Sequence, residues 1–232
     1  MVLARFAPSD KKYAGRGLTS PRQIQPINRM NTIRSICVYC GSSLGNDDIY
    51  AKAGHTLGRT IAQAGLELVY GGGGKGIMGA VADGALRAGG KVTGIIPRFL
   101  MNKEATQTAL QRLDNLIVTD NMHQRKHAMF EKSDAFVALP GGIGTVEEII
   151  EIMTWAQLGH HRKPMVFGNI GGFWNPMIAL LDHMRSKGFI HTGHLVQPLV
   201  IDQAEAIVPA IMVAAAGDGT PTEGISSVID KM

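Results

Sequence analysis

The sequence predicts an α/β fold, a doubly wound parallel sheet in a single domain. From residue 33 onward, short apolar segments typical of strands alternate with longer segments of helical character. Glycine-rich stretches follow several of the apolar segments, where ligands bind in such folds. The chain has 232 residues, of which 45% are hydrophobic and 18% charged, so it is large enough for one well-buried domain and short for two.

Seven strands and six helices account for most of this alternation. Short apolar runs predict strands at residues 34–39, 66–70, 91–96, 116–119, 134–139, 164–168 and 198–201. The segments between them predict helices at residues 47–64, 77–88, 122–132, 145–158, 173–187 and 203–215. Asn46 is the expected N-cap of the first helix.

The carboxyl ends of three predicted strands carry small polar or glycine-rich turns. They are Gly41 to Ser43 after the first strand, Gly71 to Gly76 after the second and Pro140 to Thr145 after the fifth. Because ligands of open α/β sheets lie outside these strand ends, we expect the last two turns to form the floor and wall of one crevice.

The segment PGGIGTVEE, residues 140–148, is typical of a phosphate site. It joins a buried-looking strand to an amphipathic helix, so backbone N–H groups at the helix start would be free to face an anion. Gly141, Gly142 and Gly144 would let the chain approach a phosphate closely. The carboxylate of Glu148 would repel a phosphate at close range, which favours a role with a sugar or in the chemistry itself.

The second glycine stretch, YGGGGKGIMG, formally contains G-x-G-x-x-G at Gly71, Gly73 and Gly76. A dinucleotide site would also need an acid at the end of the next strand, but Pro97 follows that strand and no acid is present. The stretch is not a Walker A loop either, because glycine follows Lys75 where Ser or Thr would bind Mg²⁺. Tight packing between strand and helix explains Gly76 and Gly79.

A basic segment, DNMHQRKH at residues 120–127, begins the helix after the fourth predicted strand. Arg125 and Lys126 would point about 100° apart on a helix, so they cannot have the same role. A solvated basic helix end would be the ordinary interpretation. The position at the carboxyl edge of the sheet instead favours cations that face the phosphate loop.

The net charge of +4 is concentrated at the beginning of the chain. Residues 1–29 carry six basic side chains and one acid, a balance of +5, which leaves 17 basic and 18 acidic residues, or −1, for the rest. We therefore expect residues 1–29 to be a disordered basic extension, with Met30 as a candidate start, and residues 217–232 to be a flexible tail. A nucleic-acid role is disfavoured because the expected folded body, residues 30–216, is close to neutral.

Few other features suggest chemistry. Cys37 and Cys40 are the only cysteines, and on a strand they would face opposite ways, which disfavours zinc or redox roles. No apolar run is long enough for a membrane span and no secretory signal is evident, so a cytoplasmic protein is expected. The remaining candidates are expected to be surface histidines (His160, His161, His191 and His194) and packing tryptophans (Trp155 and Trp174).

Together, YGGGGKGIMG, MHQRK, PGGIGTVEE and TWAQLGHH resemble, in order and spacing, the LOG ("Lonely Guy") family of cytokinin riboside 5′-monophosphate phosphoribohydrolases. The resemblance runs from about Ile33 to Ala215 and implies a Rossmann-like fold and a homodimer. Many members were once labelled lysine decarboxylases. Nothing in this sequence marks a lysine as a pyridoxal phosphate anchor.

The resemblance implies hydrolysis of the N-glycosidic bond of N6-modified adenosine 5′-monophosphates to the free base and ribose 5-phosphate, with AMP as a further candidate substrate. No metal or cofactor is implied. Arg125 and Glu148 match the catalytic positions, and Gly142, Gly144 and Thr145 match the positions that hold the 5′-phosphate. The other matched substrate contacts are Glu104, Lys126, Gly141, Ile143, Val146, Glu147 and Thr154.

The chemistry suits these residue types. Cleavage of a nucleoside bond develops oxocarbenium character on the ribose, which a carboxylate stabilises while it positions or deprotonates water. A fixed guanidinium can offset the negative charge on the leaving purine. Two alternatives remain open: a non-catalytic carrier of a phosphorylated cofactor such as molybdenum cofactor, which would not need the Arg125 and Glu148 pair, and an AMP nucleosidase of purine salvage.

Overall fold

A single parallel sheet organises the computed structural model, which describes residues 32–190 and 197–217. Its strands are β1 (Ser35–Tyr39), β2 (Glu67–Tyr70), β3 (Val92–Pro97), β4 (Asn115–Thr119), β5 (Ala135–Ala138), β6 (Met165–Gly168) and β7 (Leu199–Ile201). The helices are α1 (Asp48–Gln63), α2 (Gly76–Arg87), α3 (Met101–Glu104), α4 (Gln107–Gln111), α5 (Met122–Glu131), α6 (Ile143–Gln157), α7 (Asn175–Ser186) and α8 (Ala204–Ala216). Short 3₁₀ turns cover Arg98–Leu100 and Ile170–Gly172.

The strand order β4-β3-β2-β1-β5-β6-β7 confirms the predicted doubly wound architecture. All six pairings are parallel, with β1 registered against β2 on one side and against β5 on the other. The chain moves outward from β1 to β4 and then returns to place β5 beside β1. The crevice between the carboxyl ends of β1 and β5 is therefore the topological switch point, where ligands of such sheets bind.

Helices cover both faces of the sheet and bury two large apolar cores, beside a small third cluster of Ile96, Ala105 and Leu110. One core joins the sheet to α1, α2 and α8, and the other joins it to α5, α6 and α7. Glycines allow α1 and α2 to cross closely, since a Cβ at Gly58 would lie 2.0 Å from the carbonyl oxygen of Val81 and one at Gly84 would lie 2.1 Å from that of His55. Among the described residues, no helix is both long and apolar enough to traverse a bilayer.

The predicted strands and the six long helices are confirmed within about two residues, with three corrections. Asp47, not Asn46, caps α1, because its side chain accepts a hydrogen bond from the N–H of Ile49 at 3.0 Å. Helix α6 begins at Ile143 rather than at residue 145, after an extended Gly142. Helices α3 and α4 were not predicted.

The histidine prediction is wrong for His161, which is buried. Its Nε2 lies 2.9 Å from the carbonyl oxygen of Ile152, and its Nδ1 accepts from the N–H of Lys163 at 3.1 Å. Burial lowers its pKa, so the neutral ring is favoured, and it packs against two phenylalanine rings. His160 is exposed as expected, and His191 and His194 lie outside the described residues.

The other packing predictions agree with the structure. Cys37 and Cys40 lie in different cores on opposite faces of the sheet, and burial, the main cause, raises the pKa of Cys37 to about 12. Trp174 is buried and donates from Nε1 to the carbonyl oxygen of Ala138 at 2.9 Å, while Trp155 packs edge-on against Phe130. The predicted extension, residues 1–29, and all but the first residue of the predicted tail, residues 217–232, lie outside the described residues.

Candidate active site

A cavity of about 330 Å³ lies at the switch point of the sheet. The ends of β1 and β2, the short helix α3 and the first turns of α5 and α6 surround it. Eight of the predicted site residues line this cavity: Glu104, Arg125, Gly142, Ile143, Gly144, Thr145, Glu147 and Glu148. The fold thus brings the basic segment of α5 and the glycine loop before α6 to one place.

Arg125 and Glu148 face each other inside the cavity, each less than a tenth exposed. The Nη1 of Arg125 lies 3.6 Å from the Oε1 of Glu148, which is an ion pair but too long for a strong hydrogen bond. No hydrogen bond joins the Glu148 carboxylate to any other residue that the model describes. Its oxygens therefore keep their capacity to accept hydrogen bonds from a ligand or a water molecule.

The surroundings of Glu148 perturb its protonation. Burial raises the pKa of Glu148 from 4.5 to about 7, Arg125 opposes that shift, and the carboxylates of Glu147 and Glu104 add to it. A carboxyl group with a pKa near neutrality exists in both protonation states at physiological pH. It can therefore exchange a proton during a reaction, as a general acid or base must.

The amino-terminal end of α6 has the features that the glycine loop predicted for an anion site. Gly142 is its N-cap and contributes no side chain, and among the described residues no acceptor is recorded for the N–H groups of Ile143, Gly144 and Thr145. These groups and the helix dipole favour a negatively charged ligand. A Cβ at Gly142 or Gly144 would have no neighbour within 4 Å, so the open space beside both glycines is available to a ligand.

Gly141 and Val146, on either side of the open start of α6, serve packing, whereas Thr145 between them also lines the cavity. A Cβ at Gly141 would lie 2.1 Å from the Oγ1 of Thr145, so the absence of a side chain lets the threonine fold back against the loop. Thr145 is buried as a result. Val146 packs into the core between the sheet and α5, α6 and α7.

Lys126 points away from Arg125, as the helical spacing predicted. Its Nζ lies 2.6 Å from the Oε1 of Glu147 and 3.1 Å from the Oε1 of Glu151, so it links α5 to α6. Hydrogen bonding to Glu147 raises the pKa of Lys126. Lys126 is not among the residues that line the cavity, nor is Thr154, whose hydroxyl donates to the carbonyl oxygen of Ile150 at 2.8 Å.

The second glycine loop has a different role from the first. The N–H of Ile77 donates to the carbonyl oxygen of Gly41 at 3.0 Å, and the N–H of Met78 lies 3.3 Å from the same oxygen. The turn after β1 thus occupies the start of α2. A Cβ at Gly76 would lie 2.3 Å from the carbonyl carbon of Ser42, and one at Gly79 would lie 2.5 Å from the carbonyl oxygen of Gly74, which confirms that both glycines serve tight packing.

Several residues that line the cavity were not predicted: Tyr39, Cys40, Met78, Leu100, Met122 and Met129. Met122 and Met129 lie three residues before and four residues after Arg125, so they share its helical face. That spacing was a usable signal. Leu100 could not be found in the same way, because it belongs to the unpredicted short helical stretch after β3.

Comparison with known proteins places the chain in a family. The sequence model of a protein family described as "Possible lysine decarboxylase" matches residues 78–211 of this chain. The rice protein "Probable cytokinin riboside 5′-monophosphate phosphoribohydrolase LOGL1" is 46% identical over 155 residues, which are 67% of this chain and 68% of the rice protein. The chain belongs to the LOG family.

Two further comparisons support this membership and the fold. The rice protein named cytokinin riboside 5′-monophosphate phosphoribohydrolase LOG is 43% identical over 162 residues, 70% of this chain and 66% of its own length. The molybdenum cofactor carrier protein of Chlamydomonas reinhardtii superposes with a TM-score of 0.60 at 22% identity, covering 80% of this chain and all of its own. At that identity the likeness concerns the Rossmann-like fold alone.

Proposed function

We propose that this LOG family member hydrolyses the N-glycosidic bond of N6-modified adenosine 5′-monophosphates, releasing the free base and ribose 5-phosphate. The observation that carries the proposal is the Arg125 and Glu148 pair, which is buried at 3.6 Å in a cavity shared with the open start of α6. This arrangement combines an anion site with an acid–base group, as a phosphorylated nucleoside substrate requires. The names of the relatives, which the chain matches at over 40% identity, support the same reaction.

Glu148 acts on the sugar in this proposal. In its ionised form it stabilises the positive charge that develops on the ribose and accepts a proton from the attacking water. Because burial brings its pKa to about 7, the carboxylate is a stronger base than an exposed glutamate and is still substantially ionised at neutral pH. The value of kcat/KM should therefore rise with pH through about 7.

Arg125 acts on the leaving group. Its Nε donates to the carbonyl oxygen of Ile95 at 3.3 Å, while its Nη1 faces Glu148 at 3.6 Å. A guanidinium held in this way offsets the negative charge on the departing purine without reorganising during the reaction. It also keeps the carboxylate of Glu148 partly ionised despite burial.

The start of α6 anchors the 5′-phosphate, through the N–H groups of residues 143–145 and the hydroxyl of Thr145. Binding energy gained at this remote group aligns the ribose with Glu148. Glu104, Ile143 and Glu147 line the same cavity and complete the proposed substrate contacts. Lys126 and Thr154, which the family resemblance also suggests, would reach the substrate only after rearrangement.

The test is chromatography of the products formed from isopentenyladenosine 5′-monophosphate, AMP and the unphosphorylated riboside. We expect free base from the monophosphates only. Glu148→Gln and Arg125→Ala should each reduce the rate by about 10²- to 10⁴-fold. Glu205→Gln, a change of an exposed carboxylate on α8, is the matched control and should leave the rate unchanged.

Absence of free base from every substrate, with monophosphate binding retained, would contradict hydrolysis and favour a carrier. Comparable rates on the riboside and its monophosphate would contradict the phosphate anchor. The relative rates with the two monophosphates also decide whether AMP cleavage, as in purine salvage, is the main reaction.

We further propose that residues 30–216 form the catalytic domain and that the protein acts as a cytoplasmic homodimer. Leu158 at the end of α6 is 68% exposed and lies near the partly exposed Trp155, which offers an apolar seam for a second copy. Removal of residues 1–29 should leave kcat/KM unchanged, and light scattering should give twice the monomer mass. Loss of activity in a folded truncated protein would contradict this division of the chain.

A further inference from the structure

Gly71, at the carboxyl end of β2, lies against the guanidinium of Arg125. A Cβ at Gly71 would lie 2.1 Å from Nη2 and 3.3 Å from the Cζ of Arg125. The next neighbour, the Sδ of Met78, would be at an ordinary 3.5 Å. The backbone of Gly71 is not in the left-handed region, so alanine is compatible with its conformation. The one contact that forbids a side chain at this position is therefore with Arg125.

The guanidinium is held from three further directions. Its Nε donates to the carbonyl oxygen of Ile95, its Nη1 lies 3.8 Å from the Sδ of Met122, and the same nitrogen faces Glu148 at 3.6 Å. A methyl group at residue 71 would remove the space that Nη2 occupies. The end of a long side chain moves more easily than the backbone of a central strand, so the guanidinium would be displaced from Glu148.

We propose that Gly71 is a positioning residue for the reaction, because its missing side chain forms the slot that fixes the Arg125 guanidinium opposite Glu148. This inference rests on the proposed catalytic role of Arg125. It separates Gly71 from Gly58 and Gly76, whose added Cβ atoms would meet backbone atoms at 2.0 and 2.3 Å and whose need for glycine arises from the fold.

The test compares Gly71→Ala in the wild-type and Arg125→Ala backgrounds. In the wild-type background we expect kcat/KM to fall about 10²-fold, the effect of a misplacement of about 1 Å, with most of the loss in kcat. The affinity for ribose 5-phosphate, which binds at the start of α6, should change less than the activity. Gly71→Ala should also lower the melting temperature in the wild-type background, because the methyl group displaces the buried guanidinium. In the Arg125→Ala background the guanidinium is gone, so the same substitution should no longer lower the melting temperature.

Gly73→Ala is the matched control, because its Cβ would meet the flexible end of Met78 at 2.5 Å rather than Arg125. Its effect on the melting temperature should be the same in both backgrounds. If Gly71→Ala also has equal effects in both, the residue acts through the backbone and the inference is overturned.

The melting temperatures are measured without substrate. If the wild-type protein released no base from any nucleotide, the proposed function would fail, yet the coupling between residues 71 and 125 would still be tested. Conversely, an active enzyme in which Gly71→Ala retained full kcat/KM would overturn the positioning role and leave the proposed function intact.

Discussion

Two glycine loops, residues 71–76 after β2 and residues 140–145 after β5, follow strands on either side of β1. They differ in what occupies the start of the following helix. After β2, carbonyl oxygens of the turn that follows β1 accept hydrogen bonds from the first N–H groups of α2. After β5, no described residue accepts from the first N–H groups of α6, and the adjoining space is a cavity. The loop after β2 is therefore closed by the protein, whereas the loop after β5 is open to a ligand.

A strand, a glycine run and a helix do not by themselves make an anion site. In the closed loop, glycines permit close contact between backbones. A Cβ added at Gly76, for example, would lie only 2.3 Å from the carbonyl carbon of Ser42. In the open loop, Gly142 and Gly144 have no protein neighbour to accommodate. The role of a glycine can thus be inferred from the atoms that an added Cβ would contact. Substitution by alanine should lower stability where those atoms are backbone, and should lower ligand binding where the space is open.

Gly76→Ala should have the largest effect on stability. Gly76 has a φ of +61°, and an added Cβ would meet the backbone of Ser42 and Ser43, so strain and overpacking combine to about 2–5 kcal/mol. Urea unfolding of the two proteins measures this loss. Gly89→Ala is the control for strain alone, because Gly89 has a φ of +73° but no neighbour within 4 Å. A fully stable Gly76→Ala protein that failed to bind nucleotide would reverse the roles of the two loops.

Variation of pH should reveal the buried carboxylate beneath the open loop. Between pH 4.5 and about 7 the unfolded chain has lost the Glu148 proton and the native state retains it, so this group makes stability fall as pH rises. At 1.36 kcal/mol per pKa unit the loss is about 3 kcal/mol, complete near pH 8.

Glu148→Gln removes this titration and isolates its contribution. The unfolding free energy of the variant should therefore decline about 3 kcal/mol less than that of the wild-type protein between pH 4.5 and 8. Parallel pH profiles of the two proteins would show that Glu148 is not perturbed by its burial.

Gly142→Ala should weaken substrate binding without loss of stability. Its φ of −94° suits any residue and its Cβ would project into open space. A methyl group there would push the phosphate away from the helix N–H groups, and loss of one hydrogen bond to a charged group lowers affinity about tenfold or more. Calorimetry with ribose 5-phosphate measures the change. Unaltered affinity would mean that the phosphate does not bind at this loop.

The sequence was sufficient for the elements with long or strongly apolar patterns and insufficient for short ones. The seven strands of the described residues were all found because they are largely continuous apolar runs. Helices α3 and α4 escaped because four and five residues are too few to display a helical period. His161 was misjudged because its burial depends on Phe130 and Phe136, which are distant in the sequence.

The candidate site was predictable in its residues but not in its geometry. Arg125 and Glu148 could be named from their motifs, whereas their 3.6 Å approach depends on how α5 and α6 pack across the sheet. Likewise, no property of YGGGGKGIMG indicates that Gly41 fills the start of α2. Such contacts between distant segments decide which of two similar loops stays open.

Each glycine loop has a lysine in or near it, and the two lysines differ in their partners. Substitution of these lysines should have the smallest effect on stability. Lys75 of the closed loop donates to the carbonyl oxygen of Lys103 at 2.9 Å in an exposed position. Lys126 of the open site is only 17% exposed in its side chain and pairs with both Glu147 and Glu151. A double ion pair that is partly shielded from solvent stabilises more than an exposed hydrogen bond does.

Lys126→Met should therefore lower the free energy of unfolding by about 1 kcal/mol, and Lys75→Met by less than about 0.5 kcal/mol. Because Lys126 joins α5 to α6, its loss should also loosen the alignment of Arg125 with Glu148 and reduce kcat. A rise in KM for monophosphates with unchanged stability would instead indicate that Lys126 leaves the carboxylates to bind the phosphate. Urea unfolding together with steady-state kinetics of the two variants separates these cases, since a link between helices affects stability before any substrate is present.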